Sequence, residues 1–423
     1  MFQLLKNRSY RRLWSAQVIS ELGDGISHLL ILFLASKLTS NPMVFGYILI
    51  ARHLPGMLFG TLVGPLVDRF SRKRMMIGAD LYRFVIVLLM IAGQSSITLL
   101  LFLIFMQGIG AVFFEPAKSA VIPTIMRKDE IPAAVSLSQS TYMMMMIIAP
   151  SIGGFLLLID HISLIFILDA ATFLISAFFL LGLKLDNREE EKSHEEAAIS
   201  YLQSLKQGLQ SVTSNRFITG IFILLTSAVF VLSIVSANVY AIILNVFEVS
   251  QVHFGMMESL EGAFGILGAL AVPLLMKKVS NKALIMYSFG FSGLLAAVVI
   301  PVYDLHTMVP LVSLYIWMSL IGATNPFINI PLNSMLMQGV PEELLGRISG
   351  ILTTCFNGSL LGGLLLGGWL ATLAGPLWTV TAGGLCLIAV SLIFPLSKFY
   401  GYLTVAVSTP ENAERAGDRK GVT

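Results

Sequence analysis

Twelve apolar runs, each bounded by charged or turn-forming residues, follow one another along almost the whole chain. A helix needs about 20 apolar residues to cross the hydrocarbon core of a bilayer, so each run predicts one transmembrane helix. Hydrophobic residues make up 56% of the chain and charged residues only 12%, which excludes a water-soluble fold. The runs lie at 14–38, 43–66, 75–94, 97–122, 131–158 and 162–183, then at 217–245, 251–276, 283–302, 308–338, 344–372 and 376–397. We therefore predict an all-α membrane protein with twelve transmembrane helices.

The longest polar stretch of the chain separates the sixth run from the seventh and is rich in charged residues. It divides the runs into two groups of six, and the two groups resemble each other. Gly60 and Gly268, like Pro116 and Pro326, lie about 210 residues apart, and such duplication is typical of transporters. We predict a six-helix half, a cytoplasmic linker, a second six-helix half and a cytoplasmic tail, at 1–183, 184–216, 217–400 and 401–423.

The distribution of positive charge predicts that both termini are cytoplasmic. Of the 27 Lys and Arg residues, only Lys37 falls in a loop expected on the outer side. Because Lys and Arg accumulate in cytoplasmic loops, this distribution sets the orientation of every predicted helix. The net charge of +3 does not imply a nucleic-acid partner.

The cytoplasmic loop after the second run reads GPLVDRFSRK at residues 64–73. It resembles the signature of the major facilitator superfamily, G-x-L-A-D-R-x-G-R-K, with Val67 and Ser71 as departures. A carboxylate at one helix end can accept from the amides that begin the next helix, and basic side chains can bridge helices or lipid headgroups. The resemblance implies a cytoplasmic gate that holds one state closed, and an ordinary basic turn is the alternative. The gate residues are Gly64, Asp68, Arg69, Arg72 and Lys73.

The fifth run contains the sequence APSIGG at residues 149–154. It resembles the antiporter motif of the same superfamily, G-P-x-x-G-G, with Ala149 in place of the first glycine. Pro150 removes a backbone hydrogen bond, while Gly153 and Gly154 permit close helix approach, so the helix can bend where the halves meet. This motif favours export, although a general small-residue packing seam would look similar.

Further segments are similar to the macrolide-efflux type of drug/proton antiporters, and they lie at 7–14, 22–25, 115–118, 338–341 and 346–347. Members of that group share a twelve-helix fold and expel macrolides, other hydrophobic drugs or siderophores, usually against proton influx. The resemblance implies a bacterial plasma-membrane exporter whose partners are a small amphipathic substrate, protons and membrane lipids. We expect a monomer.

One departure from the superfamily pattern bears on coupling. Many antiporters carry an arginine in the fourth span within L-x-x-x-R-x-x-Q-G-x-G. Here the segment from Leu100 to Gly110 has Ile104 at the arginine position, while Gln107 and Gly108 are retained. A proton relay through that arginine therefore cannot operate in this chain.

Ionisable residues in the first two spans predict a coupling site. Glu21, Asp24 and His28 follow helical spacing, and the two carboxylates lie roughly 13 to 18 Å along the first span. Arg52 and His53 reach a comparable depth from the second span. Because an ionisable residue at the bilayer centre costs about 2.5 to 3.5 kcal/mol, each requires a reason. We expect Asp24, then Glu21, to carry protons; the alternative is a static pair of either carboxylate with Arg52.

Two further pairs of opposite charge stand three residues apart, where side chains on a helix can meet. Asp80 and Arg83 follow the basic loop, so we assign them to the cytoplasmic gate. Glu115 and Lys118 lie near the cytoplasmic end of the fourth span, where locking a state is favoured over contact with substrate.

Polar residues in the second half give weaker signals. Glu258 and Glu261 have no Lys or Arg nearby in sequence, so they could attract cationic drugs or carry protons, or they could bond to neighbouring helices. Asn325, Asn329 and Asn333 repeat every four residues and favour bonding between helices over ligand binding.

Three features remain. The run of methionines at 143–146 points all round its helix and indicates packing, and Asp169 receives no role. No phosphate-binding loop, nucleophile or metal cluster is recognisable, so we predict a transporter that needs no cofactor and is not an enzyme. The alternatives are a lipid or lysolipid flippase of the same fold and, with less support, a membrane protein that does not transport.

Overall fold

The computed structural model describes residues 2–159, 161–184, 216–309, 311–339 and 342–403. All regular structure in these residues is helical. Short 3₁₀ segments lie at Phe2–Lys6 and Phe394–Leu396, and a π-helical turn, Ile242–Val246, continues the seventh helix. The α-helices are α1 (Arg8–Leu38), α2 (Met43–Arg69), α3 (Arg72–Gly93), α4 (Ile97–Ile125), α5 (Ile131–Leu156), α6 (Ile162–Leu181), α7 (Arg216–Ala241), α8 (Gln251–Met276), α9 (Asn281–Ala297), α10 (Val299–Met308), α11 (Val312–Gly339), α12 (Glu342–Ala374), α13 (Pro376–Ile393) and α14 (Lys398–Tyr402).

The membrane-spanning helices match the predicted succession. Ten helices are long and apolar enough to cross a bilayer, and α9 with α10, bent by 48°, forms an eleventh span. Helix α11 has 28 residues but is less apolar because it carries three asparagines and two prolines. With α11, the described residues contain the predicted twelve spans, so the fold class is confirmed. The proposed linker and tail lie almost wholly outside the described residues, and their boundaries stay a prediction.

A capping side chain joins the start of α1 to the end of α4 at the cytoplasmic side. The side chain of Asn7 accepts hydrogen bonds from the amides of Ser9 and Tyr10, so it caps the first turn of α1. Its Nδ2 also donates to the carbonyl oxygen of Ile125 at 2.7 Å. One side chain therefore begins α1 and joins it to the last turn of α4.

The apolar side chains form one shared core and two separate cores. The shared core contains Leu29 and Phe45 from the first half and Ile243 and Trp317 from the second, all on the outer side. On the cytoplasmic side, one cluster draws on α1–α6 and another on α7, α9 and α11–α14. Within the described residues, apolar packing thus joins the halves at the outer side and leaves each half its own cytoplasmic core.

Glycines bring helices of opposite halves together at the outer side. A Cβ added to Gly154 of α5 would lie 3.3 Å from the Cα of Gly255 of α8, and one added to Gly46 of α2 would lie 3.1 Å from the carbonyl oxygen of Leu364 of α12. The hydroxyl of Ser151 bonds that of Ser259 at 2.7 Å across the α5–α8 contact. This is the arrangement of a transporter closed at the outer side.

Candidate functional site

A buried polar network joins α1, α3, α4 and α6 midway along their lengths. The guanidinium of Arg83 lies 3.4 Å from Asp24 Oδ2 and 2.5 Å from Asp80 Oδ1. Gln107 donates to the other oxygen of Asp24 at 3.1 Å, and the Ser176 hydroxyl donates to Asp80 Oδ2 at 2.6 Å. Both carboxylates therefore share one cation and each receives a further hydrogen bond.

Aromatic rings enclose the shared guanidinium. Its carbon lies 4.7 Å from the ring centre of Phe114 and 4.4 Å from that of Phe173. On the α4 side, a Cβ at Gly110 would lie 2.5 Å from Arg83 Cγ, so the glycine leaves room for the arginine. The Arg83 side chain is 4% exposed and that of Asp80 is 0%, whereas Asp24 keeps 30% of its side chain accessible. Asp24 is thus the exposed end of the buried network.

The network also supplies a cation near the fourth-span motif, in which Ile104 replaces the arginine of other antiporters. Ile104 is buried and apolar, but Arg83 of α3 lies against Gly110 of the same motif on α4. Gln107 of that motif binds Asp24. The loss of the arginine on α4 therefore does not leave Asp24 without a cation.

A second network surrounds Glu21, one turn closer to the cytoplasm. Lys118 Nζ lies 3.7 Å from Glu21 and 2.8 Å from Glu115, so the predicted Glu115–Lys118 pair forms and extends to α1. Gln17 donates to Glu21 Oε1 at 2.7 Å and accepts from the hydroxyl of Ser138 at 2.7 Å. This network connects α1 with α4 and α5.

These contacts correct two sequence-based assignments. Asp24 and Glu21 pair with Arg83 and Lys118, so the static pairing of either carboxylate with Arg52 is wrong for this structure. Asp80 and Arg83 were assigned to the cytoplasmic gate, but Arg83 reaches Asp24 in the membrane interior. Spacing along one helix revealed the Asp80–Arg83 pair but not its neighbour on α1.

Arg52 faces open space. Arg52 and His53 are both exposed on α2, and a Cβ at Gly56 or Gly60, one and two turns further on, would meet nothing within 4 Å. An exposed arginine at this depth is stable in a water-filled cavity and costly against lipid. Tyr142 of α5 is exposed as well and lies within electrostatic reach of Arg52. We therefore place this face of α2 on the central cavity.

The second half reaches the same region through Tyr240. This tyrosine interacts electrostatically with Glu258, Glu261 and Arg52, and its ring centre lies 6.4 Å from that of His28. Glu258 Oε1 is inaccessible to solvent and has no hydrogen-bond partner among the described residues. The predicted polar residues of both halves thus converge near the ring contact of His28 with Tyr240. No three His, Cys, Asp or Glu residues in the described ranges are placed to hold a metal ion.

The asparagines of α11 form an exposed ladder rather than a bond between helices. Asn329 Nδ2 donates to Asn325 Oδ1 at 2.6 Å, and Asn333 Nδ2 donates to the Asn329 carbonyl at 2.9 Å. All three are exposed, so the described contacts contradict the predicted role as glue between helices. Asn329 also borders a small cavity of about 30 Å³, lined by apolar side chains including Phe289 and Phe356.

The basic loop binds carbonyl groups of its own half. Lys73 Nζ donates to the carbonyls of Leu181 and Leu183 at 2.7 and 2.8 Å, at the C-terminal end of α6. Arg72 donates to the carbonyl of Ala120 in α4 at 2.9 Å. Cations at helix C-termini stabilise the unsatisfied carbonyls there. The side chains of three gate residues lie outside the described part of the chain: Gly64, Asp68 and Arg69.

The predicted antiporter motif lies where α1, α5 and α8 meet. A Cβ at Gly153 would lie 3.4 Å from the Cα of Ile26 on α1, whereas Gly154 faces Gly255 on α8. The carbonyl of Pro150 faces Gly255 too, so a side chain there would collide with it. The motif therefore touches both the helix that carries Asp24 and the opposite half.

Sequence reasoning missed the contribution of α6. Asp169 is 1% exposed and hydrogen bonds to Ser27 of α1, and Ser176 on the same helix bonds Asp80. The signal was present, because Asp169, Thr172 and Ser176 follow helical spacing in an otherwise apolar run. Nothing in that run indicated which helices these three polar side chains would face.

Two six-helix halves around a polar centre define a multi-pass membrane transporter. The comparison with known families makes this assignment specific. A model of the Major Facilitator Superfamily matches residues 13–363, and the chain belongs to this superfamily. The fold and the family are those of transporters, not enzymes.

Relatives at low identity include exporters. Macrolide efflux protein A of Streptococcus pyogenes is 20% identical over 391 residues, covering 91% of this chain and 94% of the relative. The uncharacterized MFS-type transporter YfiS of Bacillus subtilis is 27% identical over 91% of this chain and 92% of its own. The putative bacilysin exporter BacE of Bacillus subtilis is 29% identical, but over only 54% of this chain and 56% of its own. The predicted resemblance to macrolide-efflux transporters is confirmed.

Solved structures support the fold. A bacterial homologue of the iron transporter ferroportin, in an inward-facing state, superposes with a TM-score of 0.69 at 13% identity, covering 92% of this chain and 98% of the other. A D-xylose-proton symporter gives a TM-score of 0.64 at 13% identity, covering 93% of this chain and 97% of its own. At this identity the likeness shows the fold alone.

Proposed function

We propose that the protein exports small hydrophobic or amphipathic compounds from a bacterium across its plasma membrane by proton antiport. The observation that carries the proposal is the position of Asp24. Its side chain is 30% exposed, while its partner Arg83 is 4% exposed and the competing carboxylate Asp80 is 0% exposed. A carboxylate between water and a buried cation can gain or lose a proton with a change in its ion pair.

Protonation of Asp24 would weaken its attraction to Arg83, and Asp80 would keep the guanidinium in place. Helix α1 would then be free to shift against α3 within the first half, and such a shift would bias the rocking of one half against the other that alternating access requires. Glu21 is the second candidate carrier, because Lys118 can likewise remain paired with Glu115. In both networks one carboxylate of two can be neutralised without leaving a buried cation alone.

The cavity wall supports an amphipathic substrate. Arg52 supplies an exposed charge from the first half, and the amides of Asn325 and Asn329 are exposed on α11 in the second. The apolar side chains of Phe289 and Phe356 adjoin Asn329, and such a mixture of apolar side chains with few polar groups is typical of small-molecule sites. The names of the efflux and exporter relatives agree with a drug, macrolide or siderophore class.

Transport into inside-out membrane vesicles tests the proposal. Vesicles with an imposed proton gradient, acidic inside, are offered a macrolide, a cationic dye, a siderophore or a lysolipid. We expect at least one of the first three to accumulate, and a proton-conducting ionophore to abolish accumulation.

Asp24→Asn should lose gradient-driven uptake. Asp129→Asn is the matched control, because Asp129 is 67% exposed and pairs with Arg127 at the surface. Accumulation that ignores the gradient would refute antiport, and movement of the lysolipid alone would favour a flippase.

A further inference from the structure

Asp169 on α6 is a buried carboxyl group that the proposed coupling site leaves unused. Asp169 is 1% exposed, and its Oδ2 hydrogen bonds to the Ser27 hydroxyl of α1. Thr172 Oγ1 lies 3.5 Å from Oδ1 but donates its single hydrogen to the Asp169 backbone carbonyl at 2.6 Å. Among the described side chains, the carboxyl group of Asp169 therefore has one good hydrogen-bond partner, the Ser27 hydroxyl.

The charges around Asp169 do not balance if all the acids are ionised. Helix α6 packs mainly on α1 and α3, and the charged groups that act on Asp169 from them are Asp24 on α1 and Arg83 on α3. Arg83 is already within ion-pair distance of both Asp24 and Asp80. Asp169 forms no ion pair within the described residues. A buried carboxylate without a cation is costly, so the neutral acid is the stable form here.

The contact with α1 excludes water and depends on a glycine. A Cβ at Gly23 would collide with Asp169 Oδ1 and with Thr172 Oγ1. Packing alone does not require an acid at this position, because an asparagine could bond the Ser27 hydroxyl equally well. Gly23 directly precedes Asp24 in the chain, so a movement of α1 that opens one contact also opens the other.

We propose that Asp169 is a second proton-exchanging carboxyl group of the transport cycle, protonated while α1 packs on α6 and deprotonated when α1 moves away. The proton leaves to water that reaches the opened α1–α6 contact, and it returns from water before the helices pack again. Ser27 is the positioning residue that holds the carboxyl group against α1. This proposal rests on proton antiport as the proposed function.

The first test measures the proton itself. Infrared spectra of the purified full chain in lipid at neutral pH should contain the carbonyl band of a protonated carboxylic acid. We expect Asp169→Asn to remove that component, Ser27→Ala to shift it, and the surface control Asp129→Asn to leave it unchanged. An identical band in wild type and Asp169→Asn would overturn the proposal.

The second test separates this role from a structural one, using a macrolide as the probe in vesicles. We expect Asp169→Asn to lower gradient-driven accumulation at least about tenfold while gradient-independent exchange of macrolide is kept, which shows that the variant is folded. Asp169→Glu should restore the gradient response with a displaced pH profile. Gradient-driven transport by Asp169→Asn with the wild-type pH profile would overturn the second proton site and leave antiport intact. A wild type that ignores the gradient would instead refute antiport, and the infrared result would still report on Asp169.

Discussion

Replacing Arg83 by methionine tests the buried network most severely, because a chain of similar length removes the charge. The substitution eliminates the ion pairs with Asp24 and Asp80, at 3.4 and 2.5 Å, and two aromatic contacts. Breaking a buried pair by removing one partner costs about 3 to 5 kcal/mol, since the remaining charge has no partner. Loss of the ring contacts adds about 0.5 to 2 kcal/mol.

Thermal unfolding in detergent, followed by helical circular dichroism, should show a clearly lowered midpoint for Arg83→Met. Adding Asp80→Asn should recover part of the loss, because the carboxylate left without a cation is then neutral. Arg127→Met is the control: its pair with Asp129 is 77% and 67% exposed, so we expect a change within about 0.5 kcal/mol. If Arg83→Met unfolds at the wild-type midpoint, the network is not a buried ionic cluster and our account of coupling fails.

Three further substitutions test other parts of the molecule. Gly154→Leu should hinder closure at the outer side, since even a Cβ would lie 3.3 Å from the Cα of Gly255. Thiol labelling of a cysteine placed on the outer side of the cavity should therefore increase, and unchanged labelling would contradict the tight α5–α8 contact. Lys73→Ala should lower the free energy of unfolding by about 1 to 3 kcal/mol, because it removes charged hydrogen bonds to the carbonyls of Leu181 and Leu183 at the end of α6. Thermal unfolding measures the loss, and Lys73→Arg provides the comparison. Asn329→Leu should change the relative transport of polar and apolar substrates without changing the unfolding midpoint, and an unaltered substrate profile would remove α11 from the pathway.

The fold was largely predictable, because each membrane span is recognisable as a local run of apolar residues. The break between α9 and α10 was not, since an apolar run of 283–302 does not reveal a bend of 48°. The lower apolarity of α11 did not hide the span, because its 28 residues carry no charge. The length and local composition of each run were therefore enough to predict the order and number of the spans.

The site was predictable residue by residue but not in its pairings. Asp24 and Glu21 were singled out because charges inside a membrane are costly, and that rule needs one helix only. Their partners required knowledge of helix packing: Arg83 reaches Asp24 past Gly110, and Lys118 reaches Glu21 from α4. Spacing within a helix cannot supply such contacts.

The central claim is that substrate export is exchanged for protons through Asp24. A pH-sensitive dye inside acidified inside-out vesicles measures this exchange directly, because antiport of added macrolide must carry protons out. We predict that macrolide raises the internal pH in wild-type and Asp129→Asn vesicles and leaves it unchanged in Asp24→Asn vesicles. A rise of equal rate in Asp24→Asn vesicles would contradict the claim.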